Sequence, residues 1–172
     1  MSGTEPITDE EVARVQAQIE RDAEAGGYHL HPDAAFTGSL VRGLIENERR
    51  YGYRACPCRL ATGSKETDLD IICPCDYRDP DLVEHGACYC ALYVSADVKA
   101  GRAPVGSIPE RRPPRAEREK ARVGVPAGSG AVGPLPFPVW RCSVCGYLCA
   151  RDTPPLECPV CKVGRERFSR FI

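Results

Sequence analysis

Apolar residues recur at helical spacing in two stretches near the start of the chain. Val12, Val15 and Ile19 follow Thr8 and Glu11, which have the spacing of a capping box, and Gly26 with Gly27 ends the run. Leu40, Val41, Leu44 and Ile45 lie on one face of a second predicted helix, which opens at Asp33 or Thr37 and ends near Arg50. Two shorter elements follow. Ser64 can cap a turn through Asp70, and Asp79 with Pro80 at the first helical position opens a helical turn that Gly86 closes. Strand signals are sparse here apart from Ala91 to Ser95. From Ala103 to Pro138 the periodicity gives way to Pro104, Pro109, Pro113, Pro114, Pro126, Pro134 and Pro136 with interspersed glycines, the composition of a tether, with a short helix expected over Arg115 to Arg122. The expected organisation is a mainly α first domain over residues 1–103, a linker over 104–137 and a small β module over 138–172.

Composition changes this picture in one respect. The 172 residues include 11 cysteines, whereas aromatics make up 7% and Gly and Pro number 16 each, so apolar packing needs help to hold the chain together. No apolar run approaches the roughly 18 residues of a membrane span, and the acidic N-terminal segment lacks the pattern of a secretory signal. A cytoplasmic protein with no membrane partner is expected. In that compartment clustered cysteines are metal ligands or catalytic thiols rather than structural disulfides.

The formal charge of −1 conceals an asymmetry. Residues 1–103 hold 11 basic and 18 acidic side chains, a net of −7, while 104–137 and 138–172 each hold 6 and 3, a net of +3. The charged strip from Arg111 to Arg122 contains no aromatic residue for base stacking, so it reads as a solvated tether and no nucleic-acid partner is expected. Opposite signs at the two ends favour long-range attraction between tethered modules.

Six cysteines form three pairs with one residue between members: Cys56-Pro57-Cys58, Cys73-Pro74-Cys75 and Cys88-Tyr89-Cys90. Structural zinc sites space their ligands by two to four residues, and six thiols are an awkward number for zinc. A cubane iron-sulfur cluster takes four, leaving two, and a cluster beside a thiol pair couples one-electron input to two-electron disulfide chemistry. A purely structural metal site, or an electron carrier with two idle thiols, is the competing reading.

These residues resemble the catalytic subunit of ferredoxin:thioredoxin reductase. The likeness runs over about residues 8–100 and rests on Arg49-Arg50-Tyr51-Gly52-Tyr53, on Cys56-Pro57-Cys58-Arg59-Leu60, on the second Cys-Pro-Cys, and on the last pair running into Ala91-Leu92-Tyr93-Val94. The resemblance implies a small domain of short helices around a 4Fe-4S cluster ligated by Cys56, Cys73, Cys75 and Cys88, with Cys58 and Cys90 as the catalytic, redox-active disulfide. It also implies a ferredoxin-type one-electron donor and a thioredoxin-like disulfide substrate, Cys58 attacking the substrate and Cys90 resolving the mixed disulfide. The chain departs from the family at Tyr89, where the family has a histidine suspected of handling protons. Tyrosine is a poor proton donor near neutral pH, which leaves His85 and Tyr89 as the candidates for that task.

A second cluster, Cys142-Ser143-Val144-Cys145 and Cys158-Pro159-Val160-Cys161, presents two Cys-x-x-Cys knuckles with 12 residues between them. Four thiolates so spaced enclose one metal ion, either zinc or iron, and a module of about 35 residues depends on that metal because its core is small. Cys145-Gly146-Tyr147, Pro154-Pro155 and Cys158-Pro159-Val160-Cys161-Lys162 resemble the short rubredoxin-like domain that ends rubrerythrins, which implies a small β fold holding a mononuclear iron at Cys142, Cys145, Cys158 and Cys161. Cys149 lies outside both sets. The expectation is an iron-sulfur disulfide reductase. The rival from another class is a non-enzymatic electron carrier or a zinc-stabilised interaction module.

Overall fold

A computed structural model describes residues 5–118 and 135–172. The chain divides into two compact units, Met1–Pro109 and Glu110–Ile172.

The first unit is built on a helical hairpin. α1 (Asp9–Ala25) starts where the Thr8 hydroxyl accepts a hydrogen bond from the Glu11 amide at 3.1 Å, and buries Val12, Val15, Ile19 and Ala23. α2 (Ala34–Tyr51) is capped by Asp33, the earlier of the two predicted starts, whose carboxylate accepts from the Phe36 amide. Gly52, at φ 80°, closes α2 in a left-handed conformation that glycine adopts without strain. Val41, Leu44 and Ile45 meet Ile71, Leu92 and Tyr93 in the centre of the core. At the rim Arg42 and Arg49 of α2 reach Asp9 and Glu11 of α1, each at 2.6 Å.

The rest of this unit is short and irregular. A two-residue strand β1 (His29–Leu30), which local patterning does not reveal, pairs antiparallel with β2 (Tyr93–Val94). The strand expected over Ala91 to Ser95 is thus reduced to two residues: Ala91 sits in a turn at φ 56°, and Ser95 caps α4 (Ala96–Lys99) through the Val98 amide. Ser64 accepts from the Thr67 amide as expected, and a 3₁₀ turn follows over Leu69–Ile71. α3 (Arg78–His85) begins one residue before Asp79. The Asp79 carboxylate does not cap it, because Arg78 Nε takes that carboxylate at 2.7 Å, while Gly86 closes the helix at φ 72°. Ala103, Val105 and Ile108 pack on a second cluster of Ala87, Ala91, Val94 and Val98. Residues 115–118 are helical, and the remainder of the helix expected to reach Arg122 lies outside the described residues.

The second unit carries a three-stranded antiparallel sheet in the order β4-β3-β5, with β3 (Val139–Cys142), β4 (Leu148–Ala150) and β5 (Phe168–Arg170). Its interior is Cys142, Val144, Cys158 and Cys161, with Tyr147, Val163 and Phe168 packed around them. The Trp140 indole donates to the Arg151 carbonyl at 2.9 Å and ties the hairpin.

Two glycines of α2 differ in what surrounds them. A methyl group on Gly38 would make ordinary contacts at 3.7 and 3.9 Å, whereas on Gly43 it would lie 2.8 Å from Pro57 Cβ, in the loop that carries Cys56 and Cys58. Gly38→Ala is therefore expected to stabilise the chain by about 0.5–1 kcal/mol through helix propensity. Gly43→Ala should destabilise it by about 1–3 kcal/mol through overpacking. Urea unfolding of the two variants side by side measures both.

Candidate metal centres

The first centre is assembled by backbone pairing. The amide of Cys56 donates to the Ile71 carbonyl at 2.8 Å and that of Cys73 to the Arg54 carbonyl at 2.9 Å, so segments 54–56 and 71–73 lie side by side. Cys75 precedes α3, and its carbonyl accepts from the Arg78 amide. The tight turn that includes Ala91 folds Cys88 to Cys90 inward: Ala91 N donates to the Cys88 carbonyl, and Tyr93 N lies 3.3 Å from Cys88 Sγ. All three Cys-x-Cys pairs are thereby brought to one place. Cys56, Cys75, Cys88 and Cys90 are buried, Cys73 is partly buried, and Cys58 is exposed.

Cys90 has the central position among these sulfurs. Its thiol lies 3.7 Å from Cys88 Sγ and shares hydrogen bonds with Cys56, Cys58 and Cys88. Hydrogen bonding among these sulfurs holds Cys90 well above the ordinary thiol range and lowers Cys56 and Cys88. Cys58 is drawn down to about 7, chiefly by hydrogen bonding with Cys90 and further by Arg59, against an opposing effect of burial. Cys73 and Cys75 move the other way, Cys75 to about 12, because burial disfavours their thiolates and the neighbouring sulfurs repel charge on them. Buried thiols whose thiolates are disfavoured in this way, as at Cys73 and Cys75, form a site in which thiolates become stable once a cation shares them.

Two arginines are buried against this group. Arg59 donates from an Nη to Cys75 Sγ at 3.3 Å, its guanidinium lies 4.9 Å from the Tyr77 ring centroid and 4.5 Å from that of Tyr89, and its other Nη is 3.9 Å from Asp81. Arg78 sits 3.5 Å from the Tyr28 ring centroid and 5.2 Å from that of Tyr93, and favours the thiolate of Cys73. Sequence reasoning assigned no role to Arg59, Arg78, Tyr77 or Asp81. A charge immediately after Cys58, with tyrosines flanking the other cysteines, was the available signal. His85 ends α3 half-buried with its Nε2 3.8 Å from Glu84, and among the described residues no hydrogen bond or ion pair joins it to the six cysteines.

The second centre consists of two matching knuckles. In the first, Cys142 N donates to the Tyr147 carbonyl and Gly146 N donates back to the Cys142 carbonyl, with Gly146 left-handed at φ 75°. In the second, Cys158 pairs in the same way with Val163 and Lys162, Lys162 adopting φ 62° despite its side chain. The four sulfurs of Cys142, Cys145, Cys158 and Cys161 lie within 4.8 Å of one another, a donor set that fits a single tetrahedral ion. Cys142 and Cys161 share a hydrogen bond at 3.6 Å, which lowers Cys142 to about 5, while burial raises Cys145 to about 11. Cys149 lies on β4 opposite Trp140, outside the set.

Compared with known protein families, residues 5–108 match the ferredoxin thioredoxin reductase catalytic beta chain. The chain belongs to that family. Residues 140–169 match the rubredoxin-like domain of rubrerythrin, so a reductase-family catalytic chain is fused here to a rubredoxin-like module. No match to the chain was found among curated proteins. Membership places this catalytic beta chain among oxidoreductases, and its cysteine sites together with the rubredoxin-like module support binding of iron-type metal. Among the described residues no helix is long and apolar enough to cross a membrane.

Metal stoichiometry separates the two centres. Cys161→Ser is expected to lose about one metal per chain and leave acid-labile sulfide unchanged, whereas Cys75→Ser should lose the sulfide and keep the metal of the C-terminal module. Iron, zinc and sulfide assays on anaerobically purified variants measure this.

Proposed function

We propose that this chain is a cytoplasmic iron-sulfur disulfide reductase that takes single electrons from a ferredoxin-type donor and reduces the disulfide of thioredoxin or a similar small protein. The observation that carries this reading is the placement of Cys90, which is buried 3.7 Å from Cys88 Sγ and whose hydrogen bonding draws down the pKa of exposed Cys58. A redox pair so arranged has one sulfur open to a protein substrate and one against the metal-binding thiols. Cys56, Cys73, Cys75 and Cys88 would hold a 4Fe-4S cluster. Cys142, Cys145, Cys158 and Cys161 would hold one iron, with zinc the alternative occupant. When bound, the cluster supplies electrons one at a time and a metal anchor for a thiolate.

The chain's own residues then carry the chemistry. In the resting form Cys58 and Cys90 are joined as a disulfide, and two electrons with two protons open it. The Cys58 thiolate, favoured by Cys90 and Arg59, attacks one sulfur of the substrate disulfide. A mixed disulfide forms, and the other substrate sulfur leaves as a thiolate and takes a proton. Cys90 next attacks Cys58 Sγ, which restores the Cys58–Cys90 bond and releases the second substrate thiolate. Solvent reaches Cys58 directly and supplies the protons there, while His85 and Tyr89 are the candidates for proton handling at the last cysteine pair.

Two substitutions test this. Cys58→Ser is expected to retain iron and sulfide while thioredoxin reduction falls by about a thousandfold or more. Cys90→Ser should accumulate a covalent adduct through Cys58, visible by mass spectrometry under non-reducing conditions. Undiminished turnover in Cys58→Ser would leave an electron carrier. Zinc without sulfide in the parent chain would leave an interaction module.

A further inference from the structure

We propose that Tyr89 is a positioning residue which, with Tyr77, clamps the Arg59 guanidinium against Cys75 Sγ, and that this buried cation raises the reduction potential of the cluster that Cys75 would ligate. The inference rests on the reading of Cys75 as a cluster ligand.

A guanidinium presents two flat faces and a rim of N–H donors. The guanidinium lies over the rings of Tyr77 and Tyr89, 4.9 and 4.5 Å from their centroids, in cation–π contact, while its rim reaches Cys75 Sγ at 3.3 Å. Tyr77 is itself held, its hydroxyl donating to Asp70 at 2.8 Å. Tyr89 belongs to a separate segment, between Cys88 and Cys90. The Arg59 side chain is 1% exposed, so its charge acts through protein rather than water. Asp81 balances part of that charge from 3.9 Å, farther than the sulfur, so the sulfur is the closer partner.

The consequence is electronic. A donor aimed at a metal-bound sulfur withdraws density from it and favours the reduced cluster, and a buried cation acts in the same direction. Tyr89 is half-buried, and replacing its ring with a smaller side chain opens one face of Arg59 to solvent, which screens the charge and loosens the bond to Cys75. The tyrosine found where the family has histidine thus acts through its ring on Arg59. Its hydroxyl is dispensable for this task.

The full chain and its variants, purified anaerobically and assayed for iron and sulfide, are titrated redox-potentiometrically with the cluster followed by electron paramagnetic resonance. Tyr89→Phe, which keeps the ring, is expected to retain the parent midpoint potential. Tyr89→Leu should lower it, Arg59→Gln should lower it at least as much, and Tyr89→Leu added to Arg59→Gln should produce no further shift. The Tyr89→Leu and Tyr89→Phe pair decides the matter even where Arg59→Gln assembles no cluster. A parent potential in Tyr89→Leu with intact cluster overturns the proposal, as does a shift in Tyr89→Phe equal to that in Tyr89→Leu. A parent chain without sulfide overturns the ligand reading first and the proposal with it.

Discussion

Enclosing sulfur that must carry negative charge is the constraint on which the first unit depends. Buried charge is costly unless it is met by opposite charge and by donors in fixed positions. The chain meets it with Arg59 beside Cys75 and Arg78 beside Cys73, each guanidinium set against two tyrosine rings. Lysine would not serve, since a compact ammonium has no flat face to stack and holds its water more strongly. The two arginines also organise the surrounding backbone. Arg78 and Asp81 belong to α3, so the helix is fastened to the centre through Arg78, which favours the Cys73 thiolate, and through Asp81, 3.9 Å from Arg59.

Much of this unit was legible in the chain because the signals were local. Thr8 with Glu11 and Asp33 with the face of Leu40 to Ile45 specify α1 and α2 without reference to anything distant, and Gly86 marks the end of α3. The start of α3 was displaced because Arg78 competes for the Asp79 carboxylate, and that competition exists only once Arg78 is folded against Tyr28. β1 was invisible because two residues establish no periodicity, and its pairing with Tyr93 and Val94 is decided by packing against α1 and α2. Cysteine spacing was readable because metal and thiol chemistry depend on it directly. The arginine clamps were not, because their tyrosines come from separate segments that meet only in the folded unit.

The two centres solve a similar problem by different means. In the second unit the knuckles at Cys142 and Cys158 repeat one backbone pattern, so amide donors and a left-handed residue enclose four sulfurs within reach of a single ion. Arg167 is buried there, but the described interior around the sulfurs is otherwise apolar, from Val144 to Phe168. Such a module draws its stability from the metal and requires little else. The first unit has a larger core and two helices of its own, and its cysteines can therefore be distributed unequally between solvent and interior.

In the proposed reductase that inequality gives the Cys58 and Cys90 pair its direction. Were both sulfurs exposed, either would be open to a substrate, and the resolving thiol would be captured as readily as the attacking one. Here Cys90 is buried 3.7 Å from Cys88 Sγ and held well above the ordinary thiol range by hydrogen bonding to the neighbouring sulfurs, while Cys58 is exposed two residues before Leu60, which is 91% exposed. A protein disulfide approaching this surface meets Cys58 as a thiolate-prone sulfur with an apolar neighbour, and cannot reach Cys90 without disturbing the core. In the proposed reductase, burial together with the unequal acidity of the two thiols would set this order of attack and resolution, before any property of the metal is considered.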